Sequence, residues 1–482
     1  MNPVSTLPVL LPTIVPEELE RLDMFLPTVN VISYSGPGES GGVPASLAPV
    51  VKRLGTRVNW FALSNLPENK NPKGTNSRQD DPTQAGFAYY SPKVPTWLVN
   101  SHYEVSHDYL SPLLHGLSDQ AKFDPDAWKS YRQLCESVAS ECLTVASDSF
   151  PTLCWLHDYQ LALAAPILAS EAGLVLCQFW HVPWPKAPVM VDSPIGKELV
   201  EALLKNKLVG FHTNEYADNF LATVAAILPT AQVDCQKMTV TYDGTVTTVT
   251  VMPLGIDLPF WQKLAMSTKP MSEALIPKHS LASQIILGVE RLEASKGVVE
   301  RINGIEQFLE DQPTMRRRFH YVQISQAGKG IGDISRDYER LVEERIEAVN
   351  KKYFQDGWQP IIHIRGNLDQ GQLAAWYQAA AVISVNSVSD GLNLIAKEYV
   401  ACRFDEQGVV VLSRNAGSAR ELAQGALLVD PSSPKSVADA LYLALTLDPE
   451  DKRRRMGSMR RVIGWNQLHN WALGFLRQAL AK

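Results

Sequence analysis

Two pairs of charged residues hold most of the chemistry in this chain. Arg291 and Lys296 stand in GVERLEASKG (288–297), and Asp390 and Glu398 stand in SDGLNLIAKE (389–398). Each pair falls where an apolar, strand-like run gives way to a helical pattern. Cations at such a junction suit a pyrophosphate, and carboxylates at another suit the hydroxyls of a sugar and a ribose. A site with both suits a nucleotide sugar. Two cations can neutralise a diphosphate leaving group, which is otherwise a metal's work. Taken singly, an N-cap aspartate with an exposed helix glutamate, or a surface ion-pair network, has the same spelling.

Other candidates fall at similar junctions. The run AVISVNS ends just before SDGLN, a helix is expected to begin near Asn393, and Gly391 lets the backbone approach a ligand. Unpaired NH groups at a helix N-terminus suit phosphate. His157 and Asp158 close CWLHD, and His181 closes CQFWH. In open α/β sheets ligands bind at the carboxyl ends of strands. Asp158 is therefore a candidate base for an acceptor hydroxyl and His181 a candidate partner of a sugar, although a strand-end histidine is often structural. The loop GPGESGGV (36–43), which includes Gly42, is either a phosphate cradle or a plain turn, and it lacks the Lys-Ser/Thr pair of a nucleotide-hydrolase loop. No metal site is expected. Asp124-Pro125-Asp126 reads as a turn into the helix AWKSYRQLCESV, and neither HExxH nor GxSxG occurs.

The elements that must hold these residues alternate along the chain. TVNVIS, TLCWLHD, LVLCQFWHV and KLVGFH read as buried strands, most followed by helical segments such as YQLALAAPILASEAG and NEYADNFLATVAAIL. MTVTYDGTVTTVTVMPLG alternates in period two around Asp243-Gly244 and predicts a hairpin. The alternation then restarts with SQIILGVERL, FHYVQIS, PIIHIRG, AAVISVNS, GVVVLSR and GALLVD. Repeated βα units imply an α/β fold with parallel sheets covered on both faces. Two such series, divided near 258–280 by a linker-like segment with three prolines, imply two doubly wound domains. WNQLHNWALGFLRQAL (465–480) predicts a terminal amphipathic helix.

Bulk properties exclude other classes. The 482 residues are 45% hydrophobic and 20% charged, with net charge −6. That balance argues against a nucleic-acid binder, and KRRRMGSMRR (452–461) reads as a solvated helix. The apolar patch LPVLLPTIV is broken by prolines and lacks a basic flank, so neither a signal peptide nor a membrane span is expected. Six cysteines without CxxC spacing fit reduced core thiols in a cytoplasmic protein.

Together the motifs resemble the trehalose-6-phosphate synthase and glucosylglycerol-phosphate synthase family of retaining glycosyltransferases. WLHDYQLAL is similar to that family's W-hydrophobic-HDYHL, HVPWP to its HIPFP, VGFHT to its GFQT and MPLGID to its PIGID. GVERLEASKGVVERI resembles VDRLDYSKGLPERF, and SDGLNLIAKEYVA resembles RDGMNLVAKEYVA. The later GVVVLSRNAGSARELAQG follows the family's GVLVLSEFAGAAEEL-type segment. The match runs in order from about residue 150 onward and is weak before it.

The resemblance implies a glycosyltransferase-B architecture of two Rossmann-like domains facing a cleft. Expected bounds are 1–265 and 266–462, with a helix at 463–482 crossing back to the first domain. It implies transfer of a glucosyl or similar unit from UDP-, ADP- or GDP-glucose to a small polyol or sugar acceptor, with retention and without metal or other cofactor. No nucleic-acid or membrane partner is implied, and a homo-oligomer is compatible with it. Arg291 and Lys296 would stabilise the leaving diphosphate, whose oxygen helps deprotonate the acceptor. Asp390, Gly391, Leu392, Asn393 and Leu394 would hold the sugar and distal phosphate, Glu398 the ribose, and Gly42 a further donor contact. His181 would sit by the donor sugar and Asp158 by the acceptor, with Tyr103, Ser111, Tyr159 and Lys329 as further acceptor contacts.

Departures fall on the acceptor side. Ser35 stands where the family's first strand ends in arginine, Ser111 where its LWP segment has tryptophan, and Ser389 where arginine precedes DGMNL. A second phosphate-binding arginine has Lys329 near its position, a point charge in place of a bidentate fork. Glycerol-3-phosphate, a cyclitol phosphate as in pseudo-glycosyltransferases, or an unphosphorylated acceptor therefore competes with glucose-6-phosphate. A rival class is a non-catalytic regulatory paralogue that binds nucleotide sugar. An NAD-dependent oxidoreductase lacks the full GxGxxG spacing.

Overall fold

Apolar runs become strands here where alternate side chains can be buried on opposite faces of a sheet. The structure, a computed structural model, describes residues 27–37, 42–63, 79–80, 86–146, 152–271, 284–326 and 333–481. Contacts divide the chain into two units, one comprising Pro12–Leu254 with Leu468–Lys482 and the other centred on Gly255–Gln467.

In the first unit the strands are β1 (Thr28–Ser35), β2 (Val58–Leu63), β3 (Gln79–Asp80), β4 (Ala88–Tyr90), β5 (Thr152–His157), β6 (Leu174–Phe179), β7 (Leu208–Phe211), β8 (Gln232–Asp234), β9 (Thr239–Tyr242) and β10 (Thr245–Val251). They form one sheet in the order β3-β4-β2-β1-β5-β6-β7-β10-β9-β8. Its centre is parallel, with β1 pairing β2 on one side and β5 on the other. The expected hairpin is present as β9 and β10, with Asp243 and Gly244 both at positive φ in its turn.

The second unit holds β11 (Gln284–Arg291), β12 (Phe319–Gln326), β13 (Ile361–Arg365), β14 (Val382–Val385), β15 (Val409–Ser413) and β16 (Leu427–Val429). The order β13-β12-β11-β14-β15-β16 is parallel throughout. Leu287, Val289, Ile383 and Val385 enter one apolar cluster, while Ile286, Val382, Val409 and Val411 enter another. Two cores fed by alternate residues of the same strands define a sheet covered on both faces, as the α/β expectation required. Strand order reverses between β11 and β14, and in open α/β sheets ligands bind at the carboxyl ends of the strands at such a switch point.

Several local expectations change. The linker-like segment begins with a helix, Leu258–Ser267, because Asp257 caps it and Pro259 sits in its first turn. Trp261 and Ala265, one turn apart, are buried in the second unit's core, so the break falls at Leu254–Gly255, ahead of residue 265. The helix expected over YQLALAAPILASEAG shrinks to Ala164–Leu168. Pro166 would clash with a carbonyl one turn earlier in any longer helix, and it is tolerated only in a first turn. The basic run lies on helix Pro449–Trp465, where Arg460 folds back to the Val400 carbonyl instead of standing free in solvent. Asp124 accepts the backbone NH of Asp126 at the start of helix Pro125–Ala146. Among the described residues no helix is long and apolar enough to cross a membrane.

Candidate active site

At the carboxyl end of β11, Arg291 is the last strand residue and a single 3-10 turn, Ala294–Lys296, follows. Gly297 then takes φ 66°, and a Cβ there would lie 2.0 Å from the Asn386 carbonyl oxygen. Glycine is required because this turn rests against the chain leaving β14. That approach delivers Lys296 to the DGLN loop, where its Nζ is 2.8 Å from Asp390 Oδ2. Both side chains are largely buried, 14% and 8% exposed.

Asp390 Oδ2 also accepts hydrogen bonds from Ser387 Oγ and Asn393 Nδ2, each at 3.2 Å. Asp390 does not cap the helix that follows. The cap is Asn393, at φ 75°, whose Oδ1 accepts the Ala396 NH at the start of helix Leu394–Cys402. The Asp390 carboxylate is thereby left to side-chain partners. The loop after β15 braces this turn from behind: the Gly417 and Ser418 NH groups donate to the Asp390 and Leu392 carbonyls. A Cβ on Gly417 would lie 2.1 Å from the Gly391 oxygen.

Burial opposes the charge on Lys296, as does the nearby Arg291 charge, but the Asp390, Glu290 and Glu293 carboxylates together outweigh them and hold the ammonium above its ordinary pKa. Arg291 pairs with Glu293 at 3.3 Å and is more exposed. Glu398, on the same helix, accepts from the Tyr377 hydroxyl at 2.9 Å. Burial pushes its carboxyl up to about 7, offset in part by that hydrogen bond.

Sequence reasoning missed what lies beneath. Arg301 is fully buried and reaches Glu290 Oε1 at 3.3 Å, Asn386 Oδ1 at 3.1 Å and Gln323 Oε1 at 3.1 Å. Burial raises the Glu290 carboxyl to about 7 against the opposing charges of Arg301 and Lys296. One guanidinium thus ties helix Val298–Asp311 to β11, β12 and the chain after β14. The available signal was Glu290 itself, a charge inside an otherwise apolar strand, which demands a buried partner.

The remaining candidates stand in the first unit. β5 ends at His157, and Asp158 turns the chain at φ 64°. The Asp158 NH donates to the Phe179 carbonyl at 2.8 Å, and its Oδ1 accepts the His181 NH at 3.3 Å. His157 Nδ1 and His181 Nε2 are 3.0 Å apart. Burial lowers both imidazoles, His181 to about 3. Tyr103 is half-buried between the Tyr34 and His107 rings. Ser111 opens a short helix, Ser111–Leu114, and Gly42 is an exposed helix-starting residue. Tyr159 is 3% exposed within the hydrophobic core, a placement that suits packing and not ligand contact. Lys329 and residues 38–41 of the glycine-rich loop lie outside the described residues. No cluster of three metal-ligating side chains occurs among the described residues.

The structure therefore gathers Lys296, Asp390 and Asn393 directly, with Arg291 and Glu398 on the same two elements, and separately gathers Asp158 with His181. Comparison with known proteins bears on the family of the chain. The chain is 30% identical, over 87% of its length, to the bifunctional trehalose-6-phosphate synthase/phosphatase of Thermoproteus tenax, of which it spans 56%. It is 27% identical over 92% of its length to the UDP-forming alpha,alpha-trehalose-phosphate synthase of Yarrowia lipolytica, spanning 95% of that protein. The structure of the UDP-forming enzyme of that name from Burkholderia xenovorans, in complex with glucose-6-phosphate, matches with a TM-score of 0.86 at 26% identity, covering 94% of this chain and 100% of the other. The model of glycosyltransferase family 20 matches residues 24–481, nearly the whole span over which the two α/β units fold, and the chain belongs to that family.

Proposed function

We propose that the protein moves a glucosyl or similar unit from a nucleotide-diphosphate sugar to a small polyol or sugar acceptor, with retention at the anomeric carbon. The observation that carries this reading is the Lys296–Asp390 pair at the β11/β14 switch point, beside Arg291 and the N-terminus of helix Leu394–Cys402. Lys296 and Arg291 would neutralise charge as the anomeric carbon–phosphate oxygen bond breaks, and preorganised cations in a partly dry site are effective at this. The new bond forms on the same face, and the departing phosphate oxygen takes the acceptor's proton. Asp390 and the backbone of Gly391–Leu394 would hold the sugar, and Glu398 the ribose. His181 would serve the sugar and Asp158 the acceptor.

UDP-glucose is the favoured donor because relatives are described as UDP-forming. The acceptor is a small molecule, phosphorylated or not, and glucose-6-phosphate is disfavoured because Ser35, Ser111 and Ser389 stand where arginine, tryptophan and arginine are expected. Buried free thiols suit a reducing, cytoplasmic setting. The same substitutions favour, as a second reading, a nucleotide-sugar-binding regulatory paralogue or a pseudo-glycosyltransferase that uses a cyclitol phosphate. The test is nucleotide release from UDP-, ADP- and GDP-glucose, each with glucose-6-phosphate, glycerol-3-phosphate or glycerol. Turnover with one pair supports the transferase. Donor binding by calorimetry without any turnover favours the second reading.

A further inference from the structure

His157 is 1% exposed, with the Trp155 ring centroid 4.4 Å and the Trp471 centroid 6.5 Å from its own. Its Nδ1 meets His181 Nε2 at 3.0 Å, while its Nε2 is buried with no hydrogen-bonding partner among the described residues. Both imidazoles are neutral at pH 7, because burial depresses both and the neighbouring His181 lowers His157 further. One proton therefore lies between the two nitrogens, and it belongs to one ring or the other.

The choice is decided by the far side of His157. If His181 donates through Nε2, His157 must carry its own proton on Nε2, stranding a buried N–H against indole rings. If His157 donates through Nδ1, only a lone pair is stranded, and buried orphan N–H groups are the rarer and costlier defect. We infer that His157 is a positioning residue that fixes the tautomer of His181, holding the His181 proton on Nδ1. His181, which is half-buried, then offers a ligand an N–H donor at Nδ1 and no ring acceptor. A sugar hydroxyl at this histidine is bound through its oxygen lone pair, and its own proton is free for another partner. The consequence for turnover rests on the proposed transferase reading, but the tautomer does not.

The test is nitrogen-15 NMR of the full chain labelled at histidine, with His181 assigned from a His181→Gln sample. The wild type should show His181 protonated at Nδ1 and accepting at Nε2 at neutral pH. His157→Asn keeps a side-chain N–H near the Nδ1 position, so it should retain that pattern. His157→Phe removes the donated N–H, so the His181 Nε2 resonance should shift to that of an acceptor with no hydrogen bond. A wild-type spectrum with the proton on Nε2, or a His157→Phe spectrum unchanged from wild type, overturns the assignment. If the phenylalanine variant does not fold, the wild-type and asparagine spectra still decide it. The expected tautomer in a protein with no transferase activity would sink the function and leave this inference standing.

Discussion

Lys296 Nζ lies 2.8 Å from Asp390 Oδ2 although 94 residues separate the two in the chain. The contact joins the turn after β11 to the turn after β14, the two elements that flank the switch point. It holds a cation and an acceptor of hydroxyl protons at fixed spacing before any ligand arrives. Preorganisation of this kind avoids the cost of ordering two long side chains during reaction.

Replacing either cation should show this in rate. Lys296→Ala and Arg291→Ala are each expected to lower kcat on the order of a hundredfold or more, as removal of preorganised charge stabilisation does. A nucleotide-release assay with saturating donor checks it. Near-wild-type turnover in both variants would remove them from the chemistry.

Arg301 should matter for stability and indirectly for the site. Arg301→Met breaks a buried ion pair and leaves Glu290, Asn386 and Gln323 without their shared donor. A loss of about 3–5 kcal/mol is expected from urea denaturation. Arg301→Lys should rescue little, since a single ammonium cannot span three acceptors held by a planar fork. Full rescue by lysine would show that only charge matters there.

Glu398 makes a pH-dependent prediction. Its folded value of about 7 lies above the ordinary 4.5. Between those values the native state binds the extra proton, so this group's contribution is complete below about pH 4.5 and is lost as pH rises through 7. Glu398→Gln removes the titration while retaining an acceptor for Tyr377. The variant should therefore gain stability relative to wild type between about pH 5 and about pH 8, by denaturation midpoints. An unchanged difference across that range would mean the carboxyl is not buried as described.

Gly297 and Gly417 are places where backbone meets backbone. Gly297→Ala puts a Cβ against the Asn386 oxygen at positive φ, and Gly417→Ala puts one against Gly391. Each should cost more than about 1 kcal/mol, and each should weaken donor binding because the DGLN loop must shift. Calorimetric affinities equal to wild type in both would separate the loop's position from nucleotide-sugar binding.

The α/β class, the strands, the hairpin at Asp243-Gly244 and the helix start near Asn393 were legible because each depends on neighbours in the chain: period-two burial, a turn pair, a capping side chain. The motifs holding Arg291, Lys296, Asp390 and Glu398 were legible for the same reason, as strand-to-helix junctions carry a local spelling. Pairing was not. That β14, and not β13, lies beside β11 is a matter of long-range packing, and without it Lys296 and Asp390 have no reason to meet. The Arg301 network needs four segments to converge before a buried charge becomes affordable, and helix Leu258–Ser267 needs the second unit's core to receive Trp261. The proton shared by His157 and His181 needs two strand ends side by side and a wall of aromatic rings. Local sequence chose the residues and their elements, while tertiary structure chose their partners, because desolvation acts only once distant segments have closed around a group.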